Sequence, residues 1–102
     1  MSKKERKNKI WRKTNGVCAH CGKEVGDKKK TVDHFIPKMY GGTYDQRNLV
    51  PLCKNCNLDK GCEMVNPKEF YSYAPKTVIR QCIRYRNIWL DRTGSMYASE
   101  AA

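Results

Sequence analysis

The fold is decided by residues 33–61, which read DHFIPKMYGGTYDQRNLVPLCKNCNLDKG. This short stretch contains a carboxylate and an imidazole at Asp33 and His34, carboxamides at Asn48 and Asn57, and two thiols. A second pair of thiols lies upstream. These groups predict two kinds of site, one that holds zinc for structure and one that holds a metal for chemistry.

Four of the six cysteines form two matched Cys-x-x-Cys pairs. The two-residue gap lets both thiolates of a pair bind one tetrahedral ion, so the pattern predicts Zn²⁺ rather than disulfide bonds. With four sulfur ligands such an ion has no open position for water, and we expect its role to be structural. The predicted ligands are Cys18, Cys21, Cys53 and Cys56. We interpret Cys62 and Cys82, which lack a paired cysteine, as buried thiols that act as small apolar groups.

The size and composition of the chain limit its core. It has 102 residues, of which 39% are hydrophobic, so there is room for one small domain whose core needs support. Structural zinc in small fingers supplies about 10–16 kcal/mol of apparent binding free energy that is coupled to folding. We therefore expect a single zinc-stabilised domain over residues 1–94, followed by a flexible tail at 95–102.

The charge of the chain indicates nucleic acid as its partner. The 21 Lys and Arg residues against 10 Asp and Glu give a formal net charge of +11, and such a field attracts phosphates. A solvated face that keeps a small protein in solution is the alternative explanation for the basic residues. Those predicted to contact nucleic acid are Arg12, Lys13, Lys28, Lys29, Lys30 and Lys60.

The opening residues, Met-Ser-Lys-Lys-Glu-Arg, contain no apolar run typical of a signal peptide or a membrane span. The sequence also has no long amphipathic segment with a free apolar face, so we expect no membrane partner. The expectation is a reducing cytoplasmic setting, in which cysteines bind metal instead of forming disulfides.

Local patterns predict strands and helices around the two cysteine pairs. Ser2 and Glu5 have the form of a helix capping box, and the apolar face that follows runs from Ile10 to Val17. Asn15 and Gly16 are expected to stop this helix. Strand propensity and turn residues then alternate through the middle of the chain. The predicted elements are strands at 31–36 and 48–52, a short helix at 57–62, and C-terminal helices at 67–92, with a ββα core at about 31–62.

Together these residues resemble the HNH endonuclease family. The resemblance is carried by Asp33-His34 on the first strand, Asn48-Leu49 on the second, and Cys-x-x-Cys-Asn-x-x-Lys leading into a helix. It implies a small α+β fold, the ββα-metal finger, here with a four-cysteine structural zinc site and flanking helices. It covers about residues 11–61. The last position of the family pattern usually holds histidine, whereas this chain has Asn57, as in the HNN variant of the family.

The resemblance implies a phosphodiesterase centre with one divalent cation. His34 would be the general base, and Asp33 and Asn57 would hold the cation. Asn48 would tie down the loop backbone and orient His34. An imidazole with a reference pKa of about 6.5 is suited to accept a proton at cellular pH, and hard oxygen ligands suit Mg²⁺ or Mn²⁺. Because neighbouring strand residues point to opposite sides, the strand must be distorted for Asp33 and His34 to serve one phosphate.

The function implied by the resemblance is hydrolysis of DNA phosphodiester bonds, by nicking or by double-strand cleavage. The small size fits a phage or mobile-element nuclease that is weakly selective or directed by a partner protein. Two alternatives stay open: a zinc-finger module that binds nucleic acid without cutting it, and a nuclease subunit that acts only within a larger DNA-processing or packaging complex. The sequence also leaves open the choice between DNA and RNA and between a monomer and a homodimer.

Overall fold

The computed structural model describes residues 2–93 as a two-stranded antiparallel sheet surrounded by helices. The fold class is therefore α+β, as the sequence predicts. The predicted flexible tail, 95–102, lies outside the described residues. In chain order the elements are α1 (Lys3–Trp11), β1 (Lys30–His34), β2 (Leu49–Cys53), α2 (Lys54–Lys60), α3 (Pro67–Phe70) and α4 (Lys76–Thr93), with 3₁₀ turns at Arg12–Thr14, Asp27–Lys29, Lys38–Tyr40 and Gln46–Asn48.

Helix α1 begins at the predicted capping box and ends against the sheet. The Glu5 N–H donates to the Ser2 hydroxyl at 3.2 Å, which satisfies one of the free amides of the first turn. At the other end Trp11 is 2% exposed, and its indole N–H donates to the Thr31 carbonyl at 2.8 Å. This bond fastens α1 to β1.

The helical segment at the start of the chain ends at Asn15 and Gly16, where the sequence predicts its stop. Asn15 and Gly16 have φ angles of 54° and 87°, in the left-handed region that ends helices. Val17, expected on the helical face, instead forms an isolated antiparallel bridge with Glu24, so that expectation is wrong. The bridge closes the segment that carries the first cysteine pair.

Both strands are shifted slightly from their predicted positions. They pair in the register that sets His34 opposite Leu49. The predicted first strand, 31–36, stops at His34 because its partner begins only after the 3₁₀ turn that ends at Asn48. The predicted second strand, 48–52, starts one residue later for the same reason. The end of the sheet therefore falls at His34.

Helix α2 follows β2 without a connecting loop. It begins at Lys54, earlier than predicted, because Cys53 already has the extended conformation of an N-cap residue. The second cysteine pair therefore spans the junction between strand and helix. Of the two unpaired cysteines, Cys82 is buried, as expected. The interpretation of Cys62 as a buried thiol is wrong, because the chain turns out of the core after Gly61 and leaves Cys62 exposed.

The core lies between the sheet, α1 and α4. From α4, the Tyr85 hydroxyl accepts a hydrogen bond from the Thr43 N–H at 2.9 Å, which fastens the loop between the strands. That loop also needs Gly42, because an added Cβ would lie 1.7 Å from the Ile36 carbonyl oxygen. None of the helices in residues 2–93 has the length and apolar character that crossing a membrane requires. The buried side chains of α4 are Val78, Cys82, Tyr85 and Trp89.

Candidate active site and zinc centre

The two cysteine pairs meet where β2 joins α2. Their four Sγ atoms all lie within 4.8 Å of one another, and the sulfurs of Cys21 and Cys53 are 4.0 Å apart. The Cys53 N–H also donates to the Cys18 sulfur at 3.3 Å, so the two pairs are bonded to each other. In residues 2–93 this is the one group of three or more His, Cys, Asp or Glu side chains close enough to share a metal ion.

The sulfur cluster fits Zn²⁺. A tetrahedral ion with Zn–S bonds of about 2.3 Å places its ligands at separations of this size. Burial, followed by the hydrogen bond with the Cys53 sulfur and the charge of Cys18, raises the pKa of Cys56. A bound cation offsets this cost, because it stabilises the thiolate. The structure thus brings together the four predicted ligands in a candidate structural zinc site.

His34, at the end of β1, packs edge-on against Tyr44 with ring centroids 4.7 Å apart. Burial, followed by the positive charges of Lys38 and Lys60, lowers the pKa of the imidazole. Its Nε2 atom is buried and has no hydrogen-bond partner among the residues that the structure describes. A neutral ring with an unpartnered nitrogen is able to accept a proton.

Asp33 points to the opposite face of β1, towards α2. Its side chain is 4% exposed, with Lys60 Nζ 3.2 Å from Oδ1 and the Tyr71 hydroxyl donating to Oδ2 at 2.6 Å. Burial raises the pKa of Asp33, and the Lys60 ammonium and the Tyr71 hydroxyl oppose that shift. The buried Lys60 ammonium also donates to the His34 carbonyl at 3.1 Å. The Asp33 carboxylate therefore already has a cation beside it.

Asn57 lies one turn before Lys60 on α2, so both side chains face β1. Its amide nitrogen donates to the Thr31 hydroxyl at 2.8 Å, and that hydroxyl donates to the Leu52 carbonyl at 2.7 Å. Thr31 and Asp33 are two residues apart and share a face of the strand. The structure thus places Asp33 and Asn57 between β1 and α2, each bonded to a different protein group.

The donors on this face fit a hard divalent cation in chemical type. A carboxylate from Asp33 and a carboxamide oxygen from Asn57 are ligands that Mg²⁺ and Mn²⁺ accept. The position of the Lys60 ammonium shows that a positive charge is accommodated beside the carboxylate. Because two cations repel each other, a metal ion on Asp33 requires Lys60 to give up this contact.

Asn48 fixes the loop that follows His34. It is fully buried, and its carboxamide oxygen accepts from the Ile36 N–H at 2.7 Å. Its amide nitrogen donates to the carbonyls of Ile36 at 3.1 Å and Thr43 at 3.0 Å. These three bonds join both ends of the loop, so Asn48 holds the chain close to the His34 end of the sheet.

The sequence of this region matches a known family. The HNH endonuclease family matches residues 18–63, which contain both cysteine pairs, β1, β2 and α2. Residues 18–63 therefore form an HNH endonuclease domain. It is also similar to the CRISPR-associated endonuclease Cas9 of Corynebacterium diphtheriae, with 33% identity over 96 residues. That alignment covers 83% of the chain and 8% of the relative, so the chain spans a small part of that protein's length.

The basic residues predicted to contact nucleic acid around the HNH domain differ in exposure. Lys13 points inward and donates to the carbonyls of Gln46 at 2.5 Å and Leu49 at 2.9 Å, and burial lowers its pKa. Lys30 is half-buried and lies 3.5 Å from the Asp27 carboxylate. The predicted residues that remain exposed are Arg12, Lys28 and Lys29.

Sequence reasoning missed four side chains near the centre of the HNH domain. Lys38 forms a hydrogen bond with the Tyr44 hydroxyl, and the Arg6 guanidinium carbon lies 5.0 Å from the centre of the Tyr44 ring. Tyr71 binds Asp33 from the segment before α4. No local pattern signals these contacts, because the fold brings them together from separate segments. The one hint of these contacts in the sequence is Tyr44, an aromatic residue in a polar loop.

Proposed function

We propose that this chain is a metal-dependent HNH endonuclease that hydrolyses phosphodiester bonds in DNA, with His34 as its general base. The observation that carries the proposal is the His34 imidazole, whose pKa is lowered and whose Nε2 has no hydrogen-bond partner within residues 2–93. At neutral pH such a ring is uncharged and accepts a proton. The match of residues 18–63 to the HNH endonuclease family supports the class of reaction.

In this proposal each residue of the centre has one task. His34 takes the proton of the attacking water at Nε2, and Asn48 holds the adjoining loop so that the ring stays in place. Asp33 and Asn57 would hold one Mg²⁺ or Mn²⁺, which when bound neutralises charge on the phosphate and on the leaving oxygen. Because Asp33 and His34 point to opposite sides of β1, the proposal requires the end of this strand to be distorted when the substrate is bound.

Lys60 would change partners in the active protein. Its ammonium is buried against the Asp33 carboxylate and the His34 carbonyl. A lysine carries its charge on a flexible four-carbon chain. Released from Asp33, it would reach a phosphate of the substrate, which is the contact that the sequence predicts for it.

We also propose that residues 1–94 form one domain that works with other domains or proteins. The buried residues of α4 and of the sheet belong to one hydrophobic cluster, which supports a single domain. The Cas9 relative is a CRISPR-associated endonuclease, and the chain spans 8% of it. This supports a nuclease unit within a larger DNA-processing assembly. A phage or mobile-element nuclease directed by a partner protein fits the same size.

A second candidate function is binding of nucleic acid without cleavage. The observation that favours it is the buried ion pair between Lys60 and Asp33, which already neutralises the carboxylate. A pair that persists in the presence of DNA and metal would keep the cation ligand occupied. The protein would then bind DNA through its positive charge alone.

Cleavage of supercoiled plasmid distinguishes the two functions. The protein is assayed with magnesium, with manganese and with neither, beside His34→Ala and the matched control His20→Ala. His20 is the other histidine of the chain and stacks on Phe70. We expect nicking that needs a divalent metal, disappears in His34→Ala and persists in His20→Ala. DNA that is bound but uncut in every condition supports the binding module instead.

A further inference from the structure

An exposed aromatic ring lies directly beside the proposed general base. Tyr44 is 53% exposed, yet its ring packs against the His34 imidazole at a centroid distance of 4.7 Å with the planes at 83°. A ring this open to solvent contributes little to the core. The exposed part of this side chain is open to a ligand that approaches His34, and an aromatic ring is a surface on which a base stacks.

Two cations flank the Tyr44 ring. The Arg6 guanidinium carbon lies 5.0 Å from the ring centre, and Lys38 Nζ lies 4.6 Å from it while hydrogen-bonded to the phenol. The Lys38 hydrogen bond, with the charges of Lys38, Arg6 and Lys3, lowers the pKa of Tyr44. The ion pairs in the described part of the chain are formed by Lys30, Arg47 and Lys60. No carboxylate of residues 2–93 therefore forms an ion pair with Arg6 or Lys38.

The cluster is assembled by the fold from three separate segments. Arg6 comes from α1, Lys38 from the 3₁₀ turn after β1, and Tyr44 from the loop before β2. All three meet at the end of the sheet where His34 lies. A strand whose phosphate sits at His34 would therefore pass over this cluster with its neighbouring nucleotide.

We propose that Tyr44, Arg6 and Lys38 form a subsite for one unpaired nucleotide of the strand on which His34 acts. The base stacks on the Tyr44 ring, and Arg6 and Lys38 bind the phosphate. Aromatic stacking and cationic contacts are the interactions by which proteins hold single-stranded nucleic acid. The subsite rests on the proposed nuclease function for the position of the scissile phosphate. It implies a substrate with an unpaired nucleotide next to that phosphate.

Binding of fluorescent oligonucleotides tests the stacking. Single-stranded and double-stranded DNA of one sequence and length are titrated without added magnesium or manganese, and gels verify that they stay intact. We expect Tyr44→Leu to lose roughly tenfold in single-strand affinity and Tyr44→Phe, which keeps the ring, to retain it. Duplex affinity should change little, because paired bases are already stacked on each other. The matched control is Tyr73→Leu, which alters another exposed tyrosine.

The salt dependence of binding tests the two cations. Each phosphate contact on a single strand contributes about 0.7 to the slope of log affinity against log salt. Arg6→Gln and Lys38→Gln should each reduce the slope by about that amount. Arg84→Gln removes the same charge from an exposed position on α4 and should leave the slope unchanged.

The outcomes separate the subsite from the nuclease function. Unchanged single-strand affinity in Tyr44→Leu, or equal losses in Tyr44→Phe and Tyr44→Leu, overturns the stacking, and unchanged slopes overturn the phosphate contacts. Melting temperature and zinc content show that each variant is folded. A parent protein that cuts no plasmid, while Tyr44→Leu still loses single-strand affinity, contradicts the nuclease and supports the subsite. A parent protein that cuts plasmid normally, with single-strand affinity unchanged in Tyr44→Leu, supports the nuclease and contradicts the subsite.

Discussion

The zinc centre and the face between β1 and α2 are neighbours in the fold, but their polar groups are arranged differently. In the zinc centre four sulfurs converge within 4.8 Å. On the other face Asp33 is bonded to Lys60 and Tyr71, and Asn57 is bonded to Thr31. Thiols are weak hydrogen-bonding groups, so few protein groups compete for them. Carboxylates and carboxamides bond readily, so many groups compete for Asp33 and Asn57.

This difference shows why spacing alone defines one metal site and not the other. Two Cys-x-x-Cys pairs in one small domain are typical of a structural zinc site, because four sulfurs fill the tetrahedral positions of the ion. A buried aspartate, by contrast, is satisfied by a lysine as well as by a metal ion, so its place in the sequence does not by itself identify a metal site. The zinc centre should therefore lose its ion and its structure when one ligand is removed. On the face between β1 and α2, by contrast, the charged groups should be able to exchange partners.

The largest effect is expected for Cys53→Ser, which tests the first half of the comparison. The variant should lose zinc and unfold, because structural zinc supplies about 10–16 kcal/mol, as much as the whole stability of a small domain, about 5–15 kcal/mol. Thermal melting by circular dichroism and zinc content by mass spectrometry measure this. Cys62→Ser, at an exposed position, should stay within about 0.5 kcal/mol of the parent. Native melting of Cys53→Ser with zinc still bound would contradict the structural role.

Lys60→Met tests the second half, the ion pair on the β1–α2 face. The substitution leaves the Asp33 carboxylate buried without a cation, and such a loss destabilises by about 3–5 kcal/mol. Protonation of Asp33 relieves part of this, since burial already raises its pKa. Urea unfolding measures the difference. Lys54→Met changes an exposed lysine of the same helix and should have little effect.

Manganese added to Lys60→Met sharpens this test. A divalent cation that takes the place of the ammonium restores the missing charge, so it should raise the melting temperature of the variant more than that of the parent. The reason is that the parent must first break the contact between Lys60 and Asp33. Equal responses of the two proteins would show that Asp33 is not a metal ligand.

Asn48→Ala is expected to have an intermediate effect. It removes three hydrogen bonds from a buried position and leaves backbone groups of Ile36 and Thr43 unpaired, which should destabilise by about 2–3 kcal/mol. Cleavage should fall further than stability does, because the loop beside His34 is no longer fixed. Asn55→Ala, at an exposed position of α2, is the control. Loss of stability with full cleavage would mean that the loop does not position His34.

Local spacing explains which parts of this molecule were predictable from the sequence. The four zinc ligands and the two strands were predicted from short patterns, and the strand ends differ only by a residue or two. The stop of the first helical segment at Asn15 and Gly16 was predicted from these turn residues. Val17 was placed wrongly on the helical face because apolar periodicity continues past that stop, whereas the chain turns and Val17 pairs with Glu24. Cys62 was misassigned because burial depends on where the chain turns after α2, not on residue type.

The contacts around Asp33 and His34 were not predictable in the same way. Tyr71 is 38 residues from Asp33 along the chain, and Arg6 reaches the loop residue Tyr44 from helix α1. No repeat or motif in the sequence predicts either of these contacts. Hydrogen-bonding partners of this kind depend on tertiary packing, so the sequence suggests candidate residues for the centre but does not indicate their partners.

The smallest effect is expected at Asp45, on the loop that leads into β2. Its carboxylate accepts from the Arg47 side chain at 2.9 and 2.6 Å, and this contact lowers the pKa of Asp45. A carboxyl with a lowered folded-state pKa adds stability above its unfolded value, about 3.9, and loses it as pH falls through the folded value. The two side chains are 29% and 40% exposed, so screening keeps the contribution below about 1 kcal/mol.

Asp45→Asn should therefore be slightly less stable than the parent at neutral pH, and the difference should disappear as pH falls below about 4. Urea unfolding across that range measures it, with Asp59→Asn, an exposed carboxylate of α2, as the control. A difference that persists in acid would have another source, the bond from the Arg47 N–H that caps the 3₁₀ turn. In that case the loop that leads into β2 is held at Asp45 by a backbone hydrogen bond and not by the ion pair. The charged groups that can exchange partners are then confined to the face that Lys60 and Asp33 share.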